Sequence, residues 1–182
     1  MVKVIMQTGD WHLLKEFKEN KKGTREMLQG IYLGKEYAAA TDGRRLITID
    51  VDRMTVPENT PAGSYSVIVA KKINGIFTEV CLEKYDGEYP EIEKVMPKDN
   101  SCIKTIRIGK EKDKAIQEMI LTRVAIQLFQ STENAYNIHF IRPLAVLSTV
   151  WNVYCSGKDK PILLTADSNK VKIVLLPFRI DV

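Results

Sequence analysis

A chain of 182 residues with 45% apolar and 27% charged content can bury a sizeable core, which excludes the disordered and fibrous classes. No apolar run approaches the roughly 20 residues that cross a bilayer, and Lys3, Gln7 and Asp10 interrupt the N-terminal stretch, so it does not read as a signal peptide. The net charge of +4, from 27 basic and 23 acidic residues, permits nucleic-acid contact without demanding it.

Residues 2–7, VKVIMQ, alternate and are β-rich, which predicts a strand. Thr8, Gly9 and Asp10 predict a turn with Asp10 as helix N-cap. Residues 11–22 predict a helix that Gly23 ends. On its wheel Leu13, Leu14 and Phe17 share one side, and Trp11, Lys15, Lys18 and Lys22 share the other. That basic stripe is either an ordinary solvated face or a surface for a polyanion. Three strands are expected over 27–33, 36–41 and 45–51, with turns at Gly34-Lys35 and Asp42-Gly43. The Asp-Gly pair is a strong hairpin signal.

A loop over 56–63, rich in Pro, Asn and Gly, precedes strand-like pieces at 64–69, 75–83 and 89–96. Residues 103–108 alternate as another strand. The segment 110–130 is ambiguous: KEKDKAIQEMI suits a helix, whereas LTRVAIQLF also alternates as a strand would. Residues 136–141 read as a strand, and Pro143 stands where a helix favours its first residue. A helix over 144–154 would carry an apolar stripe of Leu144, Leu147, Val150, Trp151 and Tyr154. Two last strands, 162–166 and 171–176, meet at Asp167-Ser168-Asn169. The beginning and the end thus share a strand–helix–strands plan, the mark of an internal structural repeat. The division expected from these signals is 1–55, 64–109 and 110–182.

Catalytic motifs are absent: there is no GxSxG, HExxH, phosphate-binding loop or GxGxxG. Cys155 and His139 read as a buried thiol and an unrelated histidine, and Asp42, Asp50, Asp52 and Asp167 fall mostly in turns, where Asp is favoured for backbone reasons. Cys81, Cys102 and Cys155 lack CxxC or disulfide spacing, and with only two histidines no zinc site is expected. No enzyme, metal or cofactor is expected, and the compartment expected is the reducing cytoplasm.

Five segments, in order, resemble the bacterial DNA polymerase III β sliding clamp: LQGIYL (28–33), YAAATDGRRLI (37–47), PAGSYSVIVAKK (61–72), DGEYPEIEKVMPK (86–98) and KIVLLPFRI (172–180). The family carries an A-T-D-G-x-R-L hairpin, a P-x-x-S-x-I-V-P-x-K strand and a terminal M-P-(M/L)-R-(L/I). The resemblance implies an α+β, DNA-clamp-like fold of repeated strand–helix–strands units, with sheets outside and helices on one face lining a hole. It implies a non-enzymatic processivity or docking factor for replication or repair, with double-stranded DNA held through its phosphates without sequence reading. Partner polymerases or repair proteins would bind through a short peptide. Homo-oligomerisation would close the ring, and no membrane is involved.

The resemblance assigns Lys15, Lys18, Lys22 and Arg25 to DNA. It assigns Thr41, Gly43, Arg44, Arg45, Leu46, Pro97, Val174, Leu176, Pro177, Phe178 and Arg179 to a peptide pocket. The alternative for Leu46, Val174 and Leu176 is plain strand core. Full bacterial clamps have three domains and dimerise, so this chain is much shorter. Where the family places a helix after the position of Lys72, only Ile73 and Asn74 precede Gly75. The expected helix over 144–154 has no charged residue, a poor lining for DNA. A clamp-fold adaptor that encircles nothing is therefore the alternative function.

Overall fold

The structure is a computed structural model that describes residues 1–19, 25–97, 102–147 and 150–178. The chain divides into two compact units, Met1–Glu91 and Ile92–Val182. All named strand pairings within each unit are antiparallel.

The first unit contains β1 (Val2–Gln7), α1 (Thr8–Phe17), β2 (Ile31–Leu33), β3 (Tyr37–Thr41), β4 (Arg45–Asp50), β5 (Met54–Thr55), β6 (Gly63–Ile73) and β7 (Phe77–Tyr85). Its strands lie in the order β5-β1-β7-β6-β2-β3-β4. As expected from the wheel, α1 buries Leu13, Leu14 and Phe17. Three details differ. The helix starts at Thr8, so Asp10 is inside the first turn rather than its cap, and it ends at Phe17 because Lys18 is already extended. Trp11 is buried, so it belongs with the core and not with the basic side. The segment 27–33 is a strand only over Ile31–Leu33, after a single 3-10 turn at Glu26–Leu28.

Asp10 explains the early start. Its side chain is completely buried, and the Arg53 guanidinium grips both oxygens, Nε at 3.0 Å and Nη2 at 2.9 Å. A carboxylate in the first turn also meets the positive end of the helix dipole. The β6–β7 hairpin runs past the expected 64–69, with a bulge between Val67 and Val69, and turns through Asn74 and Gly75, both at positive φ. An Asn-Gly pair adopts that conformation with little strain, so a tight turn joins the two strands with no helix between them.

The second unit holds α2 (Ile92–Val95), β8 (Cys102–Arg107), α3 (Lys114–Thr132), α4 (Ile138–Ile141), a 3-10 stretch at Arg142–Leu147, β9 (Val150–Cys155), β10 (Ile162–Ala166) and β11 (Val171–Leu175). Its strand order is β11-β10-β9-β8. Asp113 caps α3 by accepting from the Ala115 and Ile116 amides, and the ambiguous region is helical from residue 114 onward, with 110–113 leading into it. Leu121, Val124 and Leu128 make the buried face, a helical spacing that outweighs the coincidental alternation.

Three expectations in this unit are corrected. Residues 89–96 contain the short helix α2 and not a strand, and 136–141 contain α4, capped by Asn137 accepting from the His139 amide. The expected helix over 144–154 is instead a 3-10 stretch followed by β9. Its sequence VWNVYC is β-branched and aromatic, and the period-two burial of Trp151 and Val153 between β8 and β10 decides the matter. The repeat survives with different members: β1-α1-β2-β3-β4 and β8-α3-β9-β10-β11 have the same order. In the first unit the β6–β7 hairpin separates β1 from β2, whereas β8 pairs directly with β9.

Candidate functional site

The β3–β4 hairpin is built from local hydrogen bonds. The Asp42 carboxylate accepts from the Arg44 amide at 2.9 Å and the Arg45 amide at 3.1 Å, which closes the turn. The Thr41 hydroxyl donates to the Arg45 carbonyl at 2.7 Å and accepts from the Gly43 amide at 3.0 Å. Gly43 has φ +83°, the left-handed region that favours glycine, and the Arg25 guanidinium lies close beside its Cα. Arg25 therefore sits at this hairpin rather than continuing the α1 stripe.

Arg45 ties the hairpin to α1. Its Nε donates to Asp42 at 2.8 Å, its Nη2 donates to the Glu16 carbonyl, and its guanidinium lies 4.7 Å from the Phe17 ring centre. Thr41 and Leu46 are buried, while Gly43 and Arg44 are exposed. Of the hairpin residues expected to meet a peptide, Arg44 is the side chain that reaches solvent.

In the second unit Val174 is buried in β11, paired with Leu163. Beyond β11 the chain emerges: Leu176 is 36% and Phe178 63% exposed, with Pro177 intermediate between them. The Phe178 amide donates to the Ala135 carbonyl at 2.7 Å, which fixes the backbone here. Pro97 lines a cleft of about 380 Å³ with Glu93, Met96, Tyr154, Leu163, Thr165, Asn169 and Lys172. The Thr165 hydroxyl is buried in that cleft without a hydrogen-bond partner among the described residues. Sequence reasoning missed this cleft. Its one signal was the alternation that sets Thr165 opposite Lys172 and Leu163 opposite Tyr154 and Val174. Arg179 and Lys22 lie outside the described residues.

Two lysines remain on or next to α1. Lys15 is exposed, and Lys18 follows the helix half-buried. Burial, with a smaller contribution from the Lys15 charge, lowers the Lys18 ammonium below the ordinary 10.5. Lys15→Glu is expected to raise it again, read as a shifted Lys18 side-chain titration by NMR; no shift would mean that burial acts alone.

Burial also raises three tyrosine hydroxyls, Tyr65, Tyr89 and Tyr136, the last to about 12. Tyr89 packs at a tilt against Tyr32, ring centres 5.7 Å apart, and Tyr136 neighbours the strand-like contact of Ala135 with Phe178. Above pH ~10 the unfolded chain loses tyrosine protons that the native state keeps, so stability is expected to fall as pH rises through 10 to 12. Chemical denaturation at stepped alkaline pH checks this, and a flat profile would refute it. Among the described residues no metal-ligating cluster is present and no helix is long and apolar enough to cross a membrane.

No protein-family model matches this chain, and no curated protein matches it. Solved structures do. The Caulobacter crescentus β sliding clamp, in a crystal with PEG bound, is 16% identical with a TM-score of 0.58, over 98% of this chain and 65% of the clamp. The Pseudomonas aeruginosa DNA polymerase III β subunit is 16% identical with a TM-score of 0.58, over 99% and 66%. The Bartonella birtlesii sliding clamp bound to griselimycin is 14% identical with a TM-score of 0.58, over 98% and 66%. This chain spans about two thirds of the length of those clamps. From end to end, it has the fold of the bacterial DNA polymerase III β sliding clamps.

Proposed function

We propose that the chain is a non-enzymatic, sliding-clamp-like factor of cytoplasmic DNA replication or repair. It self-associates into a ring that holds double-stranded DNA through phosphates, and it docks partner peptides on the exposed Leu176–Phe178 segment of its second unit. The clamp fold across 98% of the chain is the observation that carries this reading. Lys15 on α1 and Lys18 just after it supply phosphate contacts, with Lys22 of the same stretch of sequence, and Arg25 contributes from the hairpin side. A protein held by phosphates alone reads no bases and can move along the duplex.

The test is DNA affinity across a salt series, with retention on circular against linear duplex. Affinity should fall steeply with salt, with a slope of about −0.9 per phosphate contact. Lys15→Glu combined with Lys18→Glu should flatten that slope by roughly 2. Salt-independent binding, or an unchanged slope in the variant, overturns the DNA assignment.

The adaptor reading is favoured by one observation: the exposed face of α3 is mostly apolar, with Ile116, Met119, Ile126 and Phe129 open to solvent. Peptide binding without DNA binding in the same assays would select it.

A further inference from the structure

The strand β6 has 11 residues, yet β2 pairs with it only over 63–65. Over 66–73 it is joined to β7 alone. Its other edge has no strand partner among the described residues, and residues 68–72 are all exposed. Every second residue of such an edge turns its N–H and C=O outward, a template for one more strand.

Bulges and lysines are the usual guards of an open edge. Here the bulge lies between Val67 and Val69, and from Val69 to Ile73 the register with β7 is regular. The lysines set the chemistry of what can join. Cross-strand partners share a face, so Lys71 lies with Val69 and Ile73 on the side of Glu79, Cys81 and Phe77. Lys72 lies with Ala70 on the other side, opposite Thr78 and Val80. Glu79 is the carboxylate opposite Lys71, and Lys3 already holds it at 3.7 Å. Nearer the base, Glu83 and Lys84 stand opposite Ser66 and Tyr65 and offset each other.

The open stretch is therefore basic on both faces, with Val69 beside it 53% exposed. A strand laid along it meets Lys72 and Lys71 with two successive residues, one on each face. Acidic residues there, and β-branched ones beside Val69 and Ile73, complete cross-strand pairs of the stabilising kind.

We propose that the β6 edge over 66–73 is a docking site for an extended acidic segment of a partner protein, which adds to the sheet as an antiparallel strand. The contact needs neither DNA nor the segment after β11.

The probe is a fluorescein-labelled peptide, Ser-Thr-Val-Glu-Glu-Thr-Val-Ser, whose two Glu face Lys72 and Lys71, and anisotropy reads its affinity. Saturable binding is expected, weakened about tenfold or more when Gln replaces both Glu or when the protein carries Lys71→Glu with Lys72→Glu. Both lysines are exposed, so that variant keeps the fold, as circular dichroism checks. N-methylation of one alternate set of peptide amides should abolish binding, and of the other set should not. Amide hydrogen exchange should slow over 66–73 on binding and stay unchanged along α1. Equal affinity for the Gln peptide or for the charge-reversed protein overturns the proposal. Binding that tolerates both methylated sets overturns it as well, because the lysines then capture charge without strand pairing. Slow exchange over 66–73 in the protein alone, rising with concentration, overturns it in favour of a second copy on the edge.

Discussion

Arg53→Met is expected to destabilise the protein by about 3–5 kcal/mol, the usual cost of leaving a buried charge without its partner. Asp10 is completely buried, and both its oxygens are bound by Arg53. Without the guanidinium, the carboxylate stays in the first turn of α1 with no solvent to replace the lost bonds. For a chain of this size the loss corresponds to a fall in Tm of roughly 10–15 °C. Adding Asp10→Asn to Arg53→Met should recover part of the loss, because it removes the orphaned charge rather than the packing. Thermal denaturation of the wild type and the two variants at pH 7 checks this. A fall below 1 kcal/mol for Arg53→Met would mean that water or another group takes over the pairing.

The second large effect concerns the segment after β11. Leu176→Ser combined with Phe178→Ser should weaken binding of a clamp-binding peptide by about 2–4 kcal/mol, a loss of 30-fold to 1,000-fold. Both side chains are at least one third exposed, so the fold should change by no more than about 0.5 kcal/mol. The Phe178 amide keeps its bond to Ala135 whatever side chain it carries. Fluorescence anisotropy with a labelled peptide reads the affinity, and circular dichroism reads the fold. Retained affinity with an intact fold would remove Leu176 and Phe178 from the proposed docking surface. Leu46→Ala is a useful contrast: Leu46 is buried, so its truncation should cost about 2–5 kcal/mol of stability instead.

Much of the first unit was legible because its signals are local. Asp42-Gly43 closes a hairpin with bonds that span three residues or fewer, and Leu13, Leu14 and Phe17 mark the buried face of α1 through their own spacing. The ordered motifs pointed to the clamp fold for the same reason, since short segments keep their chemistry whatever surrounds them. Trp11 was misplaced because a wheel weighs charges against apolar residues and cannot see the packing around an indole. The Asp10–Arg53 pair joins positions 43 apart in sequence, so no local pattern announces it.

The sequence by itself determined the Asp42-Gly43 turn and the order of strand and helix in the first unit, because those depend on backbone preferences and near neighbours. Only the tertiary structure decided that residues 150–155 are a strand, that α3 supplies the repeat's second helix, and that Thr165 faces a cleft. The physical reason is common to all three. An apolar segment such as VWNVYC is compatible with more than one local conformation, and the choice rests with the distant strands that satisfy its backbone and cover its side chains.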